Sequence, residues 1–185
     1  MSASAEVAAE RWFGAAFAGL APELRRLHRH GGVLRGDVRF VLADGVAGWL
    51  GRIALHRLGI RDPQAAQPLS VEIRPAEAGL VWSRRFGDGP EARSLFVPEG
   101  HWPDGVWRER AGPFELALGV DIADGGWRWR QRACRCFGVA LPSWLAPRVE
   151  AGKRVVGERY RFDVAIVLPV FGRVLAWGGD LGMAS

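Results

Sequence analysis

The sequence predicts an α+β domain, with helices in the N-terminal third packed on a strongly curved antiparallel β-sheet or β-barrel. Three observations predict it. Apolar residues recur with helical spacing over most of residues 1–67 and with a period of two over residues 68–181. Turn signals such as Glu77-Ala78-Gly79, Gly87-Asp88-Gly89-Pro90 and Asp124-Gly125-Gly126 leave only short links between strands, and short links join antiparallel neighbours. So many strands in 185 residues curl to reduce exposed edges. The chain reads as a single domain over residues 1–185. The shift near Pro68 is a change of layer, and there is no repeat or low-complexity tract.

Ala5 to Ala18 has helical spacing, weakened at Gly14. Pro22 suits the first turn of a second helix, which Gly31-Gly32 ends and in which Leu24, Leu27 and His28 fall together. Val33 to Leu42 alternates, so Leu34, Val38, Phe40 and Leu42 share one face of a strand. Val46 to Leu58 is helical, with Val46, Trp49, Leu50, Ile53 and Leu58 on a broad apolar stripe. Gly59 ends it, and Arg61-Asp62-Pro63 starts a loop. Strands follow near Leu69–Arg74, Gly79–Phe86, Ala92–Val97, Gly105–Arg110, Phe114–Ile122, Trp127–Cys136, Val149–Val156 and Arg159–Leu168. Between the sixth and seventh of these, a Pro-bounded helical turn spans Leu141 to Pro147, and a last short strand covers Val174–Trp177.

Composition narrows the function classes. The net charge is +5 and nearly all the basicity is Arg, because Lys153 is the only lysine. This permits an anionic ligand, nucleic acid or a membrane surface as partner. There is no signal-peptide pattern and no apolar run of spanning length, so the expectation is a cytoplasmic protein without a membrane span. Cys134 and Cys136 lie at i and i+2 on one strand, too close to bridge well, and are expected as free thiols. No metal is expected, since neither Cys134/Cys136 nor His28/His30 has zinc-ligand spacing. No cofactor is expected either, because no Gly-x-Gly-x-x-Gly follows a strand, and no Gly-x-Ser-x-Gly is present.

The candidate site comes from strand parity. Trp82, Arg84 and Phe86 share one face, and an Arg between two large aromatics is unusual on a solvated surface. On an inward face Arg84 requires a partner, since an unpaired buried charge costs several kcal/mol. Glu109, in line with Trp107, is one candidate, and Glu158, in line with Tyr160 and Phe162, is another. In Trp127–Arg132 the tryptophans Trp127 and Trp129 take one face and Arg128, Arg130 and Arg132 the other. That is an apolar inside and a charged outside, and it disfavours nucleic acid as a partner. The predicted ligand-binding set is Trp82, Arg84, Phe86, Trp107, Glu109, Trp129, Glu158 and Phe162, with no catalytic residue assigned.

Leu20 to Arg29, Trp82 to Phe86, Glu109 to Phe114, Leu141 to Glu150, Arg161 to Pro169 and Gly172 to Leu181 together resemble a bacterial family, domain of unknown function 4166. In that family the domain often follows a saccharopine-dehydrogenase-like or other Rossmann reductase domain. The resemblance therefore implies an accessory role beside a reductase, and it implies no chemistry. A calycin-like barrel is the nearest analogy for the fold. The expected function is a non-catalytic binding or accessory domain for an apolar, optionally anionic, small molecule. The alternatives are an interaction module that docks on a partner or on itself, and an enzyme using a buried Arg/Glu constellation.

Overall fold

The computed structural model describes residues 7–60, 63 and 66–184. The expected start of the first helix at Ala5 and the Arg61-Asp62 loop start lie outside the described residues. Helix α1 (Ala8–Phe13) stops at Gly14, whose φ of 54° breaks the helical run, and a tighter 3-10 stretch continues over Gly14–Gly19. The single helix read over Ala5–Ala18 is thus two pieces. Helix α2 (Pro22–His30) begins on its proline and buries Leu24, Leu27 and His28.

Strand β1 (Gly32–Leu42) is followed by helix α3 (Gly45–Arg57) and then by β2 (Gln67–Ala76), β3 (Gly79–Phe86), β4 (Glu91–Glu99), β5 (Val106–Ala111), β6 (Phe114–Ala123) and β7 (Gly126–Cys136). Next come a two-residue strand β8 (Val139–Ala140), then β9 (Arg148–Val156), β10 (Arg159–Leu168) and β11 (Gly172–Met183). The Pro-bounded segment between β8 and β9 makes a single hydrogen-bonded turn, in which Leu145 and Ala146 both donate their N–H groups to the Pro142 carbonyl. The last strand is twelve residues long, well beyond Val174–Trp177.

Every pairing is antiparallel, and neighbours follow chain order around the ring. β7 pairs with both β6 and β9, and β11 returns to β1, so ten of the described strands close a barrel with β8 as an appendage on β7. Closure removes the edges that an open sheet would expose. Inward glycines help it curve. A Cβ at Gly36 would strike the Asp180 carbonyl oxygen, and one at Gly179 would strike that of Asp37.

The interior is unequally filled. At the α1–α2 end it is solid: Trp12, Leu24, Leu27, Leu34, Trp107, Trp127 and Leu181 are all buried. Both helices span this end, with α1 against β3 and β4 and α2 against β2 and β9. On β10 the expected register holds, with Tyr160 buried, Phe162 half-buried, and Arg161 and Asp163 exposed. Yet Phe162, Val164, Ile166 and Leu168, expected to be buried together, are only half-buried. Inward side chains away from the helical cap are therefore less completely covered than those at the capped end.

Two truncations measure this asymmetry. Trp127→Ala, in the solid end, should cost about 3–5 kcal/mol, the usual range for a core aromatic. Phe162→Ala should cost clearly less, about 1–2 kcal/mol, because much of its surface is not removed from water. Urea midpoints at constant slope check both.

Candidate functional site

Strand register carries the site residues inward. Leu69, Val71 and Ile73 on β2 face Phe86, Arg84 and Trp82 on β3, and the last two in turn face Ala92 and Ser94 on β4. Trp107 and Glu109 follow on β5, opposite Leu118 and Leu116 of β6. Trp129 faces Val120 across β6–β7, and Trp127 faces Lys153 across β7–β9. Lys153 in turn faces Phe162 on β10. Seven of the eight expected ligand-binding residues thus point into the barrel: Trp82, Arg84, Phe86, Trp107, Glu109, Trp129 and Phe162. Glu158 does not join them. It is exposed in the β9–β10 turn, where Gly157 with φ of 61° ends the pleat before parity can bring Glu158 inward.

Arg84 pairs with Glu109 at 3.6 Å, their side chains 25% and 12% exposed. The Arg84 guanidinium also lies 5.6 Å from the centre of the Trp82 ring, so it meets an aromatic face on one side and a carboxylate on another. Phe96 stacks on Trp129 at 5.5 Å and contacts Trp82 at 5.0 Å, extending the aromatic wall.

A second polar pair sits beside this one. The Nζ of Lys153 is 2.7 Å from Nε2 of His28, which α2 inserts into the barrel. Nδ1 of His28 is 2.7 Å from the Leu24 carbonyl oxygen, which can only accept, so Nδ1 carries the proton and donates. Nε2 is then the acceptor for Lys153, and the imidazole is neutral. The His28 ring stacks on Trp127 at 4.8 Å. Lys153 Nζ lies 3.8 Å from the Trp127 ring centre and 4.3 Å from that of Trp82, between two indole faces.

Burial, reinforced by Lys153, holds the His28 pKa well below its ordinary value, although the Leu24 hydrogen bond acts the other way. Burial, and then the nearby Arg84 charge, pull the Lys153 pKa down. Burial also raises the Tyr160 hydroxyl pKa, with Arg84 opposing. The indole N–H groups of Trp82, Trp107 and Trp127 are buried and donate to no acceptor among the described residues. The interior is therefore rich in donors, with Glu109 and His28 Nε2 among the acceptors placed between them.

His28, Lys153, Trp127 and Tyr160 lie outside the set expected from sequence. His28, expected to fall together with Leu24 and Leu27 on α2, is fully buried in the core with them. A signal existed for Lys153. It interrupts the apolar face Val149, Ala151, Val155 at inward parity, and it is the one lysine among 25 basic residues. Cys134 and Cys136 are free, one buried and one half-buried. Among the described residues no three His, Cys, Asp or Glu side chains come together as a metal site, and no helix is long and apolar enough to cross a membrane.

Fold and site together define an antiparallel barrel with a helical cap and a donor-lined aromatic interior. Residues 20–181 match the family described as domain of unknown function (DUF4166), and the chain belongs to that family. No curated protein and no solved structure matches the chain.

The His28 environment predicts a pH effect on stability. The folded pKa lies below the unfolded value of about 6.5, so the unfolded chain binds the extra proton first. Stability should be retained above that value and fall as the pH drops below it, in a window well separated from carboxylate titration. The urea midpoint of the wild type should decrease between about pH 7.5 and 5.5. That of His28→Gln, which keeps a donor and an acceptor, should fall less steeply, the remaining slope coming from Lys153, whose lowered pKa also makes the folded state reject a proton.

Proposed function

We propose that the barrel binds a small apolar molecule carrying an anionic or oxygen-rich group, held in the interior away from the helical cap. One observation carries the reading: Arg84 is an inward-facing, incompletely buried cation on an aromatic wall. A purely structural ion pair is better sealed when its surroundings are packed. Here Trp82 beside it, and Phe40, Phe162, Val164 and Trp177 elsewhere on the inner wall, are all only half-buried. Apolar walls supply burial, while a few convergent donors orient the ligand. Arg84 provides the charge, and Trp82, whose indole N–H meets no acceptor among the described residues, adds a donor beside it.

A second reading has the domain acting as an interaction module beside a reductase, on itself or on another chain. Large apolar side chains exposed outside the barrel favour it. An enzymatic reading would rest on Arg84 and Glu109 alone, since Glu158 lies elsewhere.

Titration with a fluorescent fatty-acid analogue tests the proposal. The wild type should bind saturably, with little dependence on salt. Arg84→Gln should weaken binding about tenfold, in keeping with the loss of a charge-assisted hydrogen bond worth about 1.5–3 kcal/mol. Trp82→Ala should weaken it too. An interior that excludes the analogue in the wild type, or binding unchanged in Arg84→Gln, would sink the cavity reading and favour the interaction module.

A further inference from the structure

Helix α3 is turned the wrong way for a helix that only packs on its barrel. The sequence stripe Val46, Trp49, Leu50, Ile53 and Leu58 was expected to face the core. Instead the face against the barrel is Gly48, Gly51 and Leu55, while Val46, Trp49 and Ile53 are exposed, Trp49 to 59%. Gly51 explains the difference. A Cβ at Gly51 would strike the Val174 carbonyl oxygen of β11, so the helix backbone packs closely there, with Leu50, Leu55 and Leu58 against the core and Val46, Trp49 and Ile53 left pointing to solvent.

The same end of the barrel carries more exposed apolar tips. Val170, 99% exposed, and Phe171 sit in the β10–β11 turn. Trp144, 72% exposed, and Leu145 lie between β8 and β9, and Phe137, 84% exposed, is in the β7–β8 turn. Register places them together. Arg148 at the start of β9 faces Val167 near the end of β10, Leu168 faces Gly172, and Leu175 faces Leu42 near the end of β1. Ala43, two residues before α3, donates its N–H to the Val174 carbonyl.

Charge at this end is mostly positive. Residues 45–57 of α3 contain Arg52, His56 and Arg57 and no acid. Arg135 and Arg148 flank the tips, both exposed and in no ion pair among the described residues. Arg173 is neutralised by Glu150 at 3.4 Å, Glu91 and Glu115 are paired with Arg85 and with Arg108 and Arg110, and Asp44 and Asp88 are the exposed acids with no ion pair among the described residues at this end.

We infer that this end of the barrel docks on the surface of an anionic lipid bilayer, with α3 lying in the interface and the loop tips dipping into it. A basic helix with an outward Trp–Ile–Val stripe is the form that lies in a headgroup boundary. Tryptophan suits that depth, and arginines beside it meet anionic headgroups. The apolar groups stand on separate projections from three loops and a helix. A bilayer accommodates such a crown without a matching partner shape. The inference rests on the outer surface and is independent of the interior ligand.

Flotation of the full chain with phosphatidylcholine vesicles, and with vesicles that also contain phosphatidylglycerol, tests it. The wild type should float with the anionic vesicles and much less with phosphatidylcholine alone, and the difference should shrink in Arg135→Gln/Arg148→Gln. Trp49→Glu/Val170→Asp should reduce the bound fraction at least tenfold. These positions are exposed, and unchanged circular dichroism verifies the fold. Bromine-labelled acyl chains should quench wild-type tryptophan fluorescence, and Trp49→Phe/Trp144→Phe should lose that quenching while still floating. No flotation with anionic vesicles, or equal flotation by Trp49→Glu/Val170→Asp, would overturn the inference. So would a wild-type dimer in solution that the same substitutions dissociate, since the face would then belong to a second copy.

Discussion

Lys153 between two indole faces, donating to His28, is the contact on which the rest of the structure depends. It joins a helix near the N-terminus to a strand more than a hundred residues later. It fixes where α2 sits, and so which end of the barrel is closed. An ammonium or amine in this position is costly to bury and needs compensation. The imidazole lone pair and two π-faces supply it. Arginine would not substitute simply, because its planar guanidinium cannot give up its charge and is shaped for paired acceptors, not for a slot between rings. The single lysine of an Arg-rich chain therefore stands where the chemistry of the two residues differs most.

From that contact the two ends of the barrel diverge. The capped end packs Trp12, Phe13, Trp107 and Trp127 edge to face and is sealed. The far end leaves its inner wall half-buried, and its rim carries apolar side chains and unpaired arginines. Arg84 and Glu109 lie between these regions, near enough to Lys153 for Arg84 to influence its proton affinity. A closed, donor-rich floor, a less covered aromatic wall and an adhesive rim form one gradient along the barrel. An interior binding site and an outer docking face are compatible readings of that gradient.

Much of this was legible in the sequence, for local reasons. Strand alternation alone puts Trp82, Arg84 and Phe86 on one side and separates Trp127 and Trp129 from Arg128 and Arg130, because a pleat has only two faces. Parity failed at Glu158, where a turn interrupts the pleat. The long last strand was illegible because Gly178, Gly179 and Gly182 read as loop. In the barrel, Gly179 is needed where its strand passes the Asp37 carbonyl. Ring closure through β6–β7 and β1–β11 is non-local, and no periodicity encodes it. The apolar stripe of α3 was found, but which of its residues face out depends on Gly51 admitting the β11 backbone, a tertiary effect. His28 and Lys153 each lay on a correctly read face, yet their meeting across the fold left no trace in spacing.

The direct test of the buried contact is a double-mutant cycle with His28→Ala, Lys153→Met and the combined variant, read as unfolding free energies at pH 7.5. If the pair holds the cap to the wall, the two effects should be non-additive, with a coupling of about 1–3 kcal/mol. Additivity within about 0.5 kcal/mol would contradict it, leaving the cap held by aromatic packing alone.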